Sequence, residues 1–205
     1  MNRIADKTSR AYRSELRDAQ AEATRSRILD AAIRVIATGI ASLSVPAVAR
    51  EAGVSVPTVY RHFRTKADLL TAVYPHTARK AGLDTIADPR SMDELRPVVR
   101  AVVERLDHLD DLSRAAMASP GAAEVRDATM AMRYARLRPV AESIEPKLSR
   151  ADLDRITRLL VVLTASASLR MWRDHLGLTV DQVADEVEWT VRAAIAASST
   201  RRQRR

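Results

Sequence analysis

Residues 44–63 read SVPAVAREAGVSVPTVYRHF, and this stretch decides the fold of the chain. Two short helical patterns lie on either side of Ala52-Gly53-Val54-Ser55, where Gly53 can adopt the positive φ of a tight turn. Two short helices joined in this way predict a helix-turn-helix, in which the first helix supports the second for insertion into the DNA major groove. Double-stranded DNA is therefore the first partner that we expect.

The triplet Ser-Val-Pro opens both short helices, at residues 44–46 and again at residues 55–57. A serine is a favoured N-cap, which would place each helix start immediately after the serine. Proline favours the first helical position, and the residue before a proline avoids the α region, which would make the valine the cap instead. The pattern leaves both starts open.

The recognition helix, about residues 56–63, separates into two faces when projected at about 100° per residue. One face is apolar and predicts core packing, and the opposite face can donate hydrogen bonds to bases and phosphates or touch a thymine methyl group. The inner residues are Val56, Val59 and Phe63, the outer residues are Pro57, Thr58, Arg61 and His62, and Tyr60 lies at the border with its hydroxyl free for a phosphate.

Two further patterns complete a small helical domain over residues 24–74. Apolar residues recur at helical spacing over residues 24–38, and Gly39 ends that first helix. The segment Thr65-Lys66-Ala67-Asp68 has the form of a capping box and opens a fourth helix, which we expect to end at Pro75.

Basic charge is concentrated on this domain and on the end of the chain. The 205 residues carry a net charge of +8, and residues 24–74 hold seven Lys or Arg against three Asp or Glu. Residues 198–205 add four Arg, whereas residues 75–197 are almost neutral. A polyanion fits the two basic segments. Lys66, in the first turn of a helix, is well placed to bind a phosphate.

The composition excludes several classes of protein. The chain has no Cys, so disulfides, thiol nucleophiles and thiolate metal sites are absent. Residues 1–23 are polar and mixed in charge, unlike a signal peptide, and no apolar run is long enough to span a membrane. We expect a cytoplasmic protein whose residues 1–23 form a mobile or loosely helical arm. A basic arm can enter a DNA groove, but a frayed terminus explains the pattern more simply.

The sequence resembles the DNA-binding domain of the TetR/AcrR family of transcriptional regulators over residues 24–74. The matching segments are ILDAA at 28–32, VAREAGVS at 48–55, TVYRHF at 58–63 and KADLL at 66–70. One position departs from the family pattern, which usually has Gly where this chain has Pro57. Proline lacks a backbone donor, so a main-chain contact to DNA from that position is lost.

The resemblance implies an all-helical homodimer that binds a palindromic operator and dimerises through its last two long helices. It also implies DNA contacts, mainly to phosphates, by Ser44, Thr58, Tyr60, His62 and Lys66. With the outer face and the start of the recognition helix, the predicted DNA-contact residues are Ser44, Ser55, Val56, Pro57, Thr58, Tyr60, Arg61, His62 and Lys66.

The second half of the chain is helical throughout, with no strand-like alternation. Capping boxes at Ser91–Glu94 and Thr179–Gln182 predict two helix starts. The predicted helices cover about residues 91–108, 112–117, 124–137, 149–175 and 180–197, with a further short helix or bend between Pro139 and Pro146. The longest of them, residues 149–175, is nearly apolar all round at its centre and so is covered on more than one side.

The last predicted helix has two apolar faces. One stripe is enough for a core within the subunit, and Trp189 lies on the other side, where a second copy of the chain is the simplest partner. The predicted dimer interface takes residues from the two longest helices: Leu160, Thr164, Ala167, Met171, Trp189, Ala193 and Ala196.

If the family pattern holds, the middle helices surround a cavity for a small effector. Methionine and aromatic side chains adapt to irregular apolar pockets, although a methionine at helical spacing is equally a core residue. The predicted lining is Met92, Met117, Met130, Met132, Tyr134 and Trp172, which favours a hydrophobic or aromatic effector.

These patterns predict an all-α chain with four parts: an arm (1–23), a helix-turn-helix domain (24–74), a ligand-binding and dimerisation domain (75–197) and a disordered basic tail (198–205). The leading hypothesis is a dimeric repressor that a small molecule releases from its operator. The alternatives are a DNA-binding dimer without effector control and a helical enzyme. We expect no catalytic site, metal or cofactor, because Asp107-His108-Leu109-Asp110-Asp111 is more simply a solvated helix end than a metal site.

Overall fold

In the computed structural model, the backbone is described over residues 3–203 and the side chains over residues 15–200. The described chain is helical and has no strands, which confirms the predicted all-α fold. Its α-helices are α1 (Arg3–Ala37), α2 (Val45–Ala52), α3 (Val56–His62), α4 (Lys66–Lys80), α5 (Met92–Asp107), α6 (Asp111–Ala118), α7 (Ala122–Ile144), α8 (Arg150–Leu163), α9 (Ser166–Arg170) and α10 (Val180–Gln203). A 3₁₀ turn (Leu83–Thr85) follows α4, and a π-helical turn (Met171–His175) follows α9.

Helix α1 begins at Arg3, well before the predicted start at Thr24. Residues 3–23 contain no Gly or Pro and are rich in Ala and Arg, which are good helix formers. The described side chains of residues 15–23 are all exposed, so no core packing holds this part of the helix. Local propensity therefore extends α1 where the apolar pattern gave no signal.

Two helices continue through prolines that we expected to end or bend them. Helix α4 passes Pro75 and ends at Lys80, and α7 passes Pro139 and ends at Ile144. In both cases the turn after the proline is held by buried residues, His76 in α4 and Val140 and Ala141 in α7. Tertiary packing thus offsets the hydrogen bond that each proline removes.

The longest predicted helix is divided into three pieces. Helix α8 ends at Leu163, and Thr164 turns back so that its Oγ1 donates to the carbonyl of Leu160 at 2.6 Å. Ser168 donates in the same way to the carbonyl of Val162 at 2.6 Å. Hydroxyl side chains compete for backbone carbonyls, so the TASAS segment at residues 164–168 breaks the helix that its apolar pattern predicted.

The predicted helix caps have mixed outcomes. Capping boxes form at Thr65 with Asp68 and at Thr179 with Gln182, as predicted. At Ser91 the box does not form, because Glu94 Oε2 accepts a hydrogen bond from the backbone N–H of Arg90 at 2.8 Å instead.

Helix α10 extends to Gln203, beyond its predicted end at Ala197. Ser198 is buried, and its hydroxyl donates to the carbonyl of Ala194 at 3.0 Å. Residues 198–203 are therefore helical rather than disordered, and Arg204 and Arg205 lie outside the described residues.

Two separate apolar cores organise the described chain. The first lies among α1, α2, α3 and α4 and also takes in Ala116 of α6 and Val125 of α7. The second lies among α5, α7, α8, α9 and α10, where α10 packs most extensively against α5. Arg96 of α5 pairs with Asp181 and Asp185 of α10 along the edge of that contact. Helices α6 and α7 therefore join the predicted helix-turn-helix domain to the rest of the chain.

Gly121, immediately before α7, is one point where the two parts meet closely. A Cβ atom added there would lie 2.8 Å from the carbonyl oxygen of Ile40, in the loop between α1 and α2. A backbone oxygen cannot move aside as the end of a flexible side chain does. This contact fixes how α7 sits against the helix-turn-helix.

We predict that Gly121→Ala lowers the free energy of unfolding by about 1–3 kcal/mol, because the added methyl group overpacks a backbone contact. Chemical denaturation followed by circular dichroism measures the change. Ala123→Ser, at an exposed position on the same helical turn, is the control and changes stability by less than about 0.5 kcal/mol. Equal stability of wild type and Gly121→Ala would show that the loop yields easily.

Candidate nucleic-acid interface and adjoining cavity

Gly53 makes the turn between α2 and α3. Its φ is 63° and its ψ is 37°, in the left-handed region that favours glycine. The N–H of Gly53 donates to the carbonyl of Arg50 at 3.1 Å, and the N–H of Val54 donates to that of Ala49 at 3.0 Å. These bonds cap α2 and turn the chain directly into α3.

Ser44 and Ser55 are the N-caps of α2 and α3, which resolves the ambiguity that the sequence left open. Pro46 and Pro57 therefore occupy the second helical position, where the absent N–H has no intrahelical partner to lose. Ser55 Oγ accepts from the N–H of Thr58 at 3.3 Å, whereas Ser44 makes no such bond. The exposed Ser44 hydroxyl is free of a capping role.

The inner face of α3 packs as predicted. Val59 and Phe63 are buried in the first core, and Val56 is half-buried against it. The guanidinium of Arg25, on α1, lies 4.5 Å from the centre of the Phe63 ring. These contacts fix the rotation of α3 about its own axis, and so fix which side chains face outward.

The outer face of α3 carries a short chain of hydrogen bonds. The hydroxyls of Ser55 and Thr58 lie 2.8 Å apart, and Arg61 Nη2 donates to Thr58 Oγ1 at 2.9 Å. Arg61 is thus held along the helix in an extended position and is exposed, as are Pro57 and Tyr60. Tyr60, predicted at the border between the two faces, is 45% exposed and so contributes to the outer surface. His62 is half-buried.

Lys66 is in contact with a carboxylate from the second half of the chain. Its Nζ donates to Glu124 Oε1 at 2.8 Å and to Ser42 Oγ at 3.0 Å. Glu124 Oε2 accepts in addition from the backbone N–H of Leu43 at 2.8 Å. A phosphate contact by Lys66 therefore competes with Glu124, which the sequence did not reveal as a partner.

Glu124 is a strongly held carboxylate. Partial burial by itself would raise its pKa, but the hydrogen bonds from Lys66, from the Leu43 N–H and from Ser42 outweigh burial, and the pKa lies below its ordinary value of 4.5. Glu124 therefore stays ionised. It links the first turn of α7 to the segment just before α2 and to Lys66, the first residue of α4.

A second polar link holds α4 against α1. His76 is buried, and its Nε2 lies 2.9 Å from Asp30 Oδ1, which also accepts from Lys80 Nζ at 3.1 Å. Burial alone would raise the pKa of Asp30, but its bonds to His76 and Lys80 outweigh that effect and lower it. The C-terminal half of α4 is thereby fixed to the helix that supports the recognition unit.

A cavity of about 580 Å³ lies between α4, α5, α7 and α8. Its volume falls in the usual range for small-molecule sites, roughly 300–1,000 Å³. Its walls are largely aliphatic and include residues of α4 that follow Lys66 in the same helix, such as Tyr74 and Thr77. The apolar lining includes Ile33, Ile36, Val73, Leu95, Val98, Val99, Val102, Leu106, Val125, Leu137, Val140 and Leu160.

The structure places two of the six predicted ligand residues, Met117 and Met132, in the cavity wall. The other four lie elsewhere, so the prediction does not hold for them. Met130 is 45% exposed, and Met92 and Trp172 pack against the second core. Tyr134 donates its hydroxyl to Asp154 Oδ1 at 3.0 Å, beside an Arg138–Asp154 ion pair.

Sequence reasoning missed a charged residue in this apolar wall. Arg133, on α7, lines the cavity, and its guanidinium carbon lies 4.1 Å from the centre of the Tyr74 ring. Its Nε donates to Thr129 Oγ1 at 3.1 Å. Burial lowers the pKa of Arg133, the Tyr74 hydroxyl opposes that effect, and the neighbouring Arg126 adds to it. An arginine between Met132 and Tyr134 has no sequence signature that distinguishes it from a surface residue.

Comparison with known proteins identifies the first domain. Residues 28–73 match the model of the family described as bacterial regulatory proteins, tetR family. The HTH-type transcriptional regulator SrpR of Pseudomonas putida is 41% identical over 71 residues, which are 34% of this chain and 33% of SrpR. The uncharacterized HTH-type transcriptional regulator TtgW, from a strain of the same species, is 39% identical over 71 residues, which are 34% of this chain and 53% of TtgW.

Residues 28–73 are a TetR-family domain. The sequence match spans a third to about a half of the length of these relatives. Solved structures extend the likeness of fold to most of this chain. A tetR-family transcriptional regulator from Streptomyces coelicolor is 19% identical, with a TM-score of 0.50 over 87% of this chain and 83% of its own. A transcriptional regulator from Rhodococcus sp. Rha1 is 20% identical, with a TM-score of 0.50 over 85% and 97%.

The described surface has exposed apolar side chains on α8, on α10 and on the turn that follows α9. Trp189 is 69% exposed and Met171 52%, and both were predicted for a dimer interface; Val162, which was not, is 60% exposed. Of the remaining predicted interface residues, Ala167, Ala193 and Ala196 are exposed, and Thr164 is half-buried and lines the cavity. Leu160 is only 1% exposed and lies in the second core, so we remove it from the predicted interface.

Neither His108 nor Asp107 is placed as a free metal ligand. Arg173 Nη2 pairs with Asp107 Oδ2 at 2.6 Å, and His108 Nδ1 donates to the carbonyl of Glu104 at 2.6 Å. Over the described residues, no three His, Asp or Glu side chains are grouped as a metal site. None of the helices searched there is long and apolar enough to cross a bilayer.

We predict that Glu124→Gln lowers the free energy of unfolding at pH 7 by about 1 kcal/mol, because the ion pair with Lys66 becomes a hydrogen bond from the ammonium to a neutral amide. The pKa of Glu124 is lowered in the folded protein, so its contribution is present above the ordinary value of 4.5 and is lost as the pH falls through the lowered pKa. The difference between wild type and variant therefore shrinks in acid. Urea denaturation at several pH values measures it.

Glu142→Gln, also on α7 but at an exposed position, is the matched control for the Glu124 variant and removes the same charge. It leaves stability within about 0.5 kcal/mol of wild type. A Glu124 deficit that stayed constant down to about pH 3 would contradict the assignment of that contribution to the ionised carboxylate.

Proposed function

We propose that this chain is a DNA-binding transcriptional regulator. It binds a palindromic operator as a homodimer and acts as a repressor that a small, largely hydrophobic effector releases. The observation that carries the proposal is the exposed outer face of α3 in a TetR-family domain. This function places the protein in the cytoplasm, together with the DNA that it controls.

The chemistry of α3 suits the major groove. Arg61 is preorganised by Thr58 and offers a planar set of donors that matches guanine edges or a phosphate. Pro57 and Tyr60 present apolar surface beside it, and the exposed Ser44 and Ser55 hydroxyls lie at the N-termini of the two helices. The helix N-termini and the net positive charge of residues 24–74 both favour phosphates.

The cavity and the DNA-binding unit share two helices. Helix α4 carries Lys66 at its start and Tyr74 and Thr77 in the cavity wall about two and three turns later. Helix α7 carries Glu124, which binds the loop before α2, next to Val125 and Arg126, which line the cavity. An occupant that moved either helix would displace the recognition unit. Two operator half-sites need a fixed spacing, so such a displacement lowers operator affinity.

The alternative, a DNA-binding dimer without effector control, predicts a well-packed middle with no cavity. The cavity of about 580 Å³ between α4, α5, α7 and α8 supports effector control instead. No contact among the described residues favours an enzyme: the cavity-wall hydroxyl of Ser113 donates to Asp110, whose carboxylate caps α6.

We propose that the homodimer forms through α8 and α10. One short recognition helix reads too few base pairs to be selective alone, so two copies are required. The exposed Trp189, with Ala193 and Ala196 on the same side of α10, gives a large anchor beside small residues that allow close helix approach. Helix α8 packs beside α10 and adds the exposed Val162 to this face, which makes a four-helix interface about a two-fold axis.

Selection of bound sequences from random DNA tests the proposal directly. We expect a palindromic consensus, with at least about a thousandfold preference over non-specific DNA at physiological salt. Binding that depends on salt but not on sequence would contradict it.

We predict that Arg61→Ala lowers the affinity for the selected operator about tenfold or more, because a base or phosphate contact on the outer face of α3 is lost. Fluorescence anisotropy with operator and scrambled duplexes measures the change. Arg158→Ala, an exposed arginine on α8, is the control for loss of charge, and circular dichroism confirms folding. Unchanged operator affinity in Arg61→Ala would show that α3 is not the reading helix.

We predict that Trp189→Glu converts the dimer to a monomer in analytical ultracentrifugation, because a carboxylate replaces the apolar anchor of the interface. Affinity for a two-half-site operator falls with it. Met130→Glu, at an exposed apolar position on α7, is the matched control and leaves the mass unchanged. A dimer that survived Trp189→Glu would place the interface elsewhere.

A further inference from the structure

Arg133 is a cation without a counter-charge in a cavity whose walls are mainly hydrocarbon. Its protein contacts are one hydrogen bond to Thr129 Oγ1 and the face of the Tyr74 ring. No carboxylate among the described side chains forms an ion pair with it, and its remaining guanidinium N–H groups have no acceptor there. A partly buried, uncompensated charge is costly to a folded protein, and a ligand that supplied the opposite charge would remove that cost.

The other charges of the cavity wall do not balance Arg133. Arg126, about two helical turns earlier on the same face of α7, also lines the cavity. Arg136 lines it too but is already paired with Asp88 at 2.9 Å. The remaining charged residues of the wall are Arg79 and Asp84, so the wall holds four arginines against two aspartates. Neither Arg126 nor Arg133 forms an ion pair with a carboxylate among the described side chains. The electrostatic potential inside therefore favours an anion.

We propose that the cavity binds an amphipathic carboxylate, with its carboxylate on Arg133 and its apolar body along the aliphatic walls of α5 and α7. This inference rests on the proposed function in one respect, that the occupant is the effector. It names the chemical class of that effector. A planar guanidinium whose Nε is already used by Thr129 offers its remaining N–H groups to a carboxylate, and the long apolar wall requires a long apolar body.

Arg133 connects the proposed carboxylate site to the DNA-binding unit. Its guanidinium stacks on Tyr74, which belongs to α4, the helix that begins beside the recognition helix. A carboxylate that draws Arg133 toward itself weakens or moves this stacking contact. The headgroup, rather than the apolar body alone, is then the part of the ligand that α4 senses.

Three probes with the same ten-carbon chain test the proposal: decanoate, decanol and decyltrimethylammonium. Isothermal titration calorimetry on the full-length protein compares their affinities. We expect decanoate to bind at least about tenfold tighter than the neutral alcohol and the cation to bind weakest. Equal affinity for decanoate and decanol, or no binding of decanoate, would overturn the proposal.

Arg133→Met keeps an unbranched apolar side chain and removes the charge and the guanidinium donors. We expect it to weaken decanoate about tenfold to a hundredfold and to leave decanol unchanged or tighter. Arg133→Lys keeps the charge without the planar fork and weakens decanoate by less. Arg138→Met, which removes an arginine of α7 that pairs with Asp154 and does not line the cavity, is the control and changes decanoate affinity by less than about threefold. Wild-type decanoate affinity in Arg133→Met would overturn the assignment.

Thermal unfolding of the ligand-free variants separates a binding role from a structural one. If Arg133 serves the ligand, Arg133→Met melts at or above the wild-type temperature, because an uncompensated charge is gone. A lower melting temperature together with unchanged decanoate affinity would show that Arg133 only supports the fold. The selection of operator sequences needs no probe ligand, so its failure would contradict the proposed function. The decanoate measurements would still test the ligand class independently.

Discussion

The arrangement of the two halves depends on the Glu124 carboxylate, which forms an ion pair with Lys66 and accepts a hydrogen bond from the Leu43 N–H. One carboxylate in the first turn of α7 holds both the loop that leads into α2 and the start of α4. The N-terminal core is therefore not closed on itself, and it borrows Ala116 and Val125 from the following helices. Any change in the tilt of α7 is transmitted to the recognition unit through a charged bond and a close backbone contact at Gly121.

The same helix also carries the charge that is hardest to justify on stability alone. Arg133 lies in an apolar wall, where a methionine or leucine would cost less to bury. Other charged side chains of α7 form ion pairs: Glu124 pairs with Lys66, and Arg136 pairs with Asp88. The paired charges hold α7 in place, whereas Arg133 is left available for a ligand.

Much of the fold was predictable because local signals and tertiary packing agree there. The Gly53 turn, the inner face with Val59 and Phe63, and the Thr65 capping box all follow from residue chemistry that acts within a few positions. The exposed outer face of α3 follows from the same periodicity. These are the parts of the candidate site that single-residue properties determine.

The rest depended on partners far along the chain. Nothing near Lys66 indicates that Glu124, 58 positions away, will bind it. The cavity wall was mispredicted because side-chain type does not tell which face of a helix meets a void, and aliphatic residues of α5 took the place of Met92, Met130, Tyr134 and Trp172. The break at residues 164–168 was missed because periodicity ignores hydroxyl groups that compete for backbone carbonyls.

Helix α1 limits how the N-terminal segment can meet DNA. It has 35 residues, so at about 1.5 Å per residue it forms a rod about 50 Å long, of which about 30 Å precedes Thr24. An α-helix is about 10 Å wide with its side chains, whereas the minor groove of B-DNA is only about 6 Å wide. While it remains helical, this segment is excluded from the minor groove, and the major groove or the phosphate ridge is the only part of a duplex that it fits.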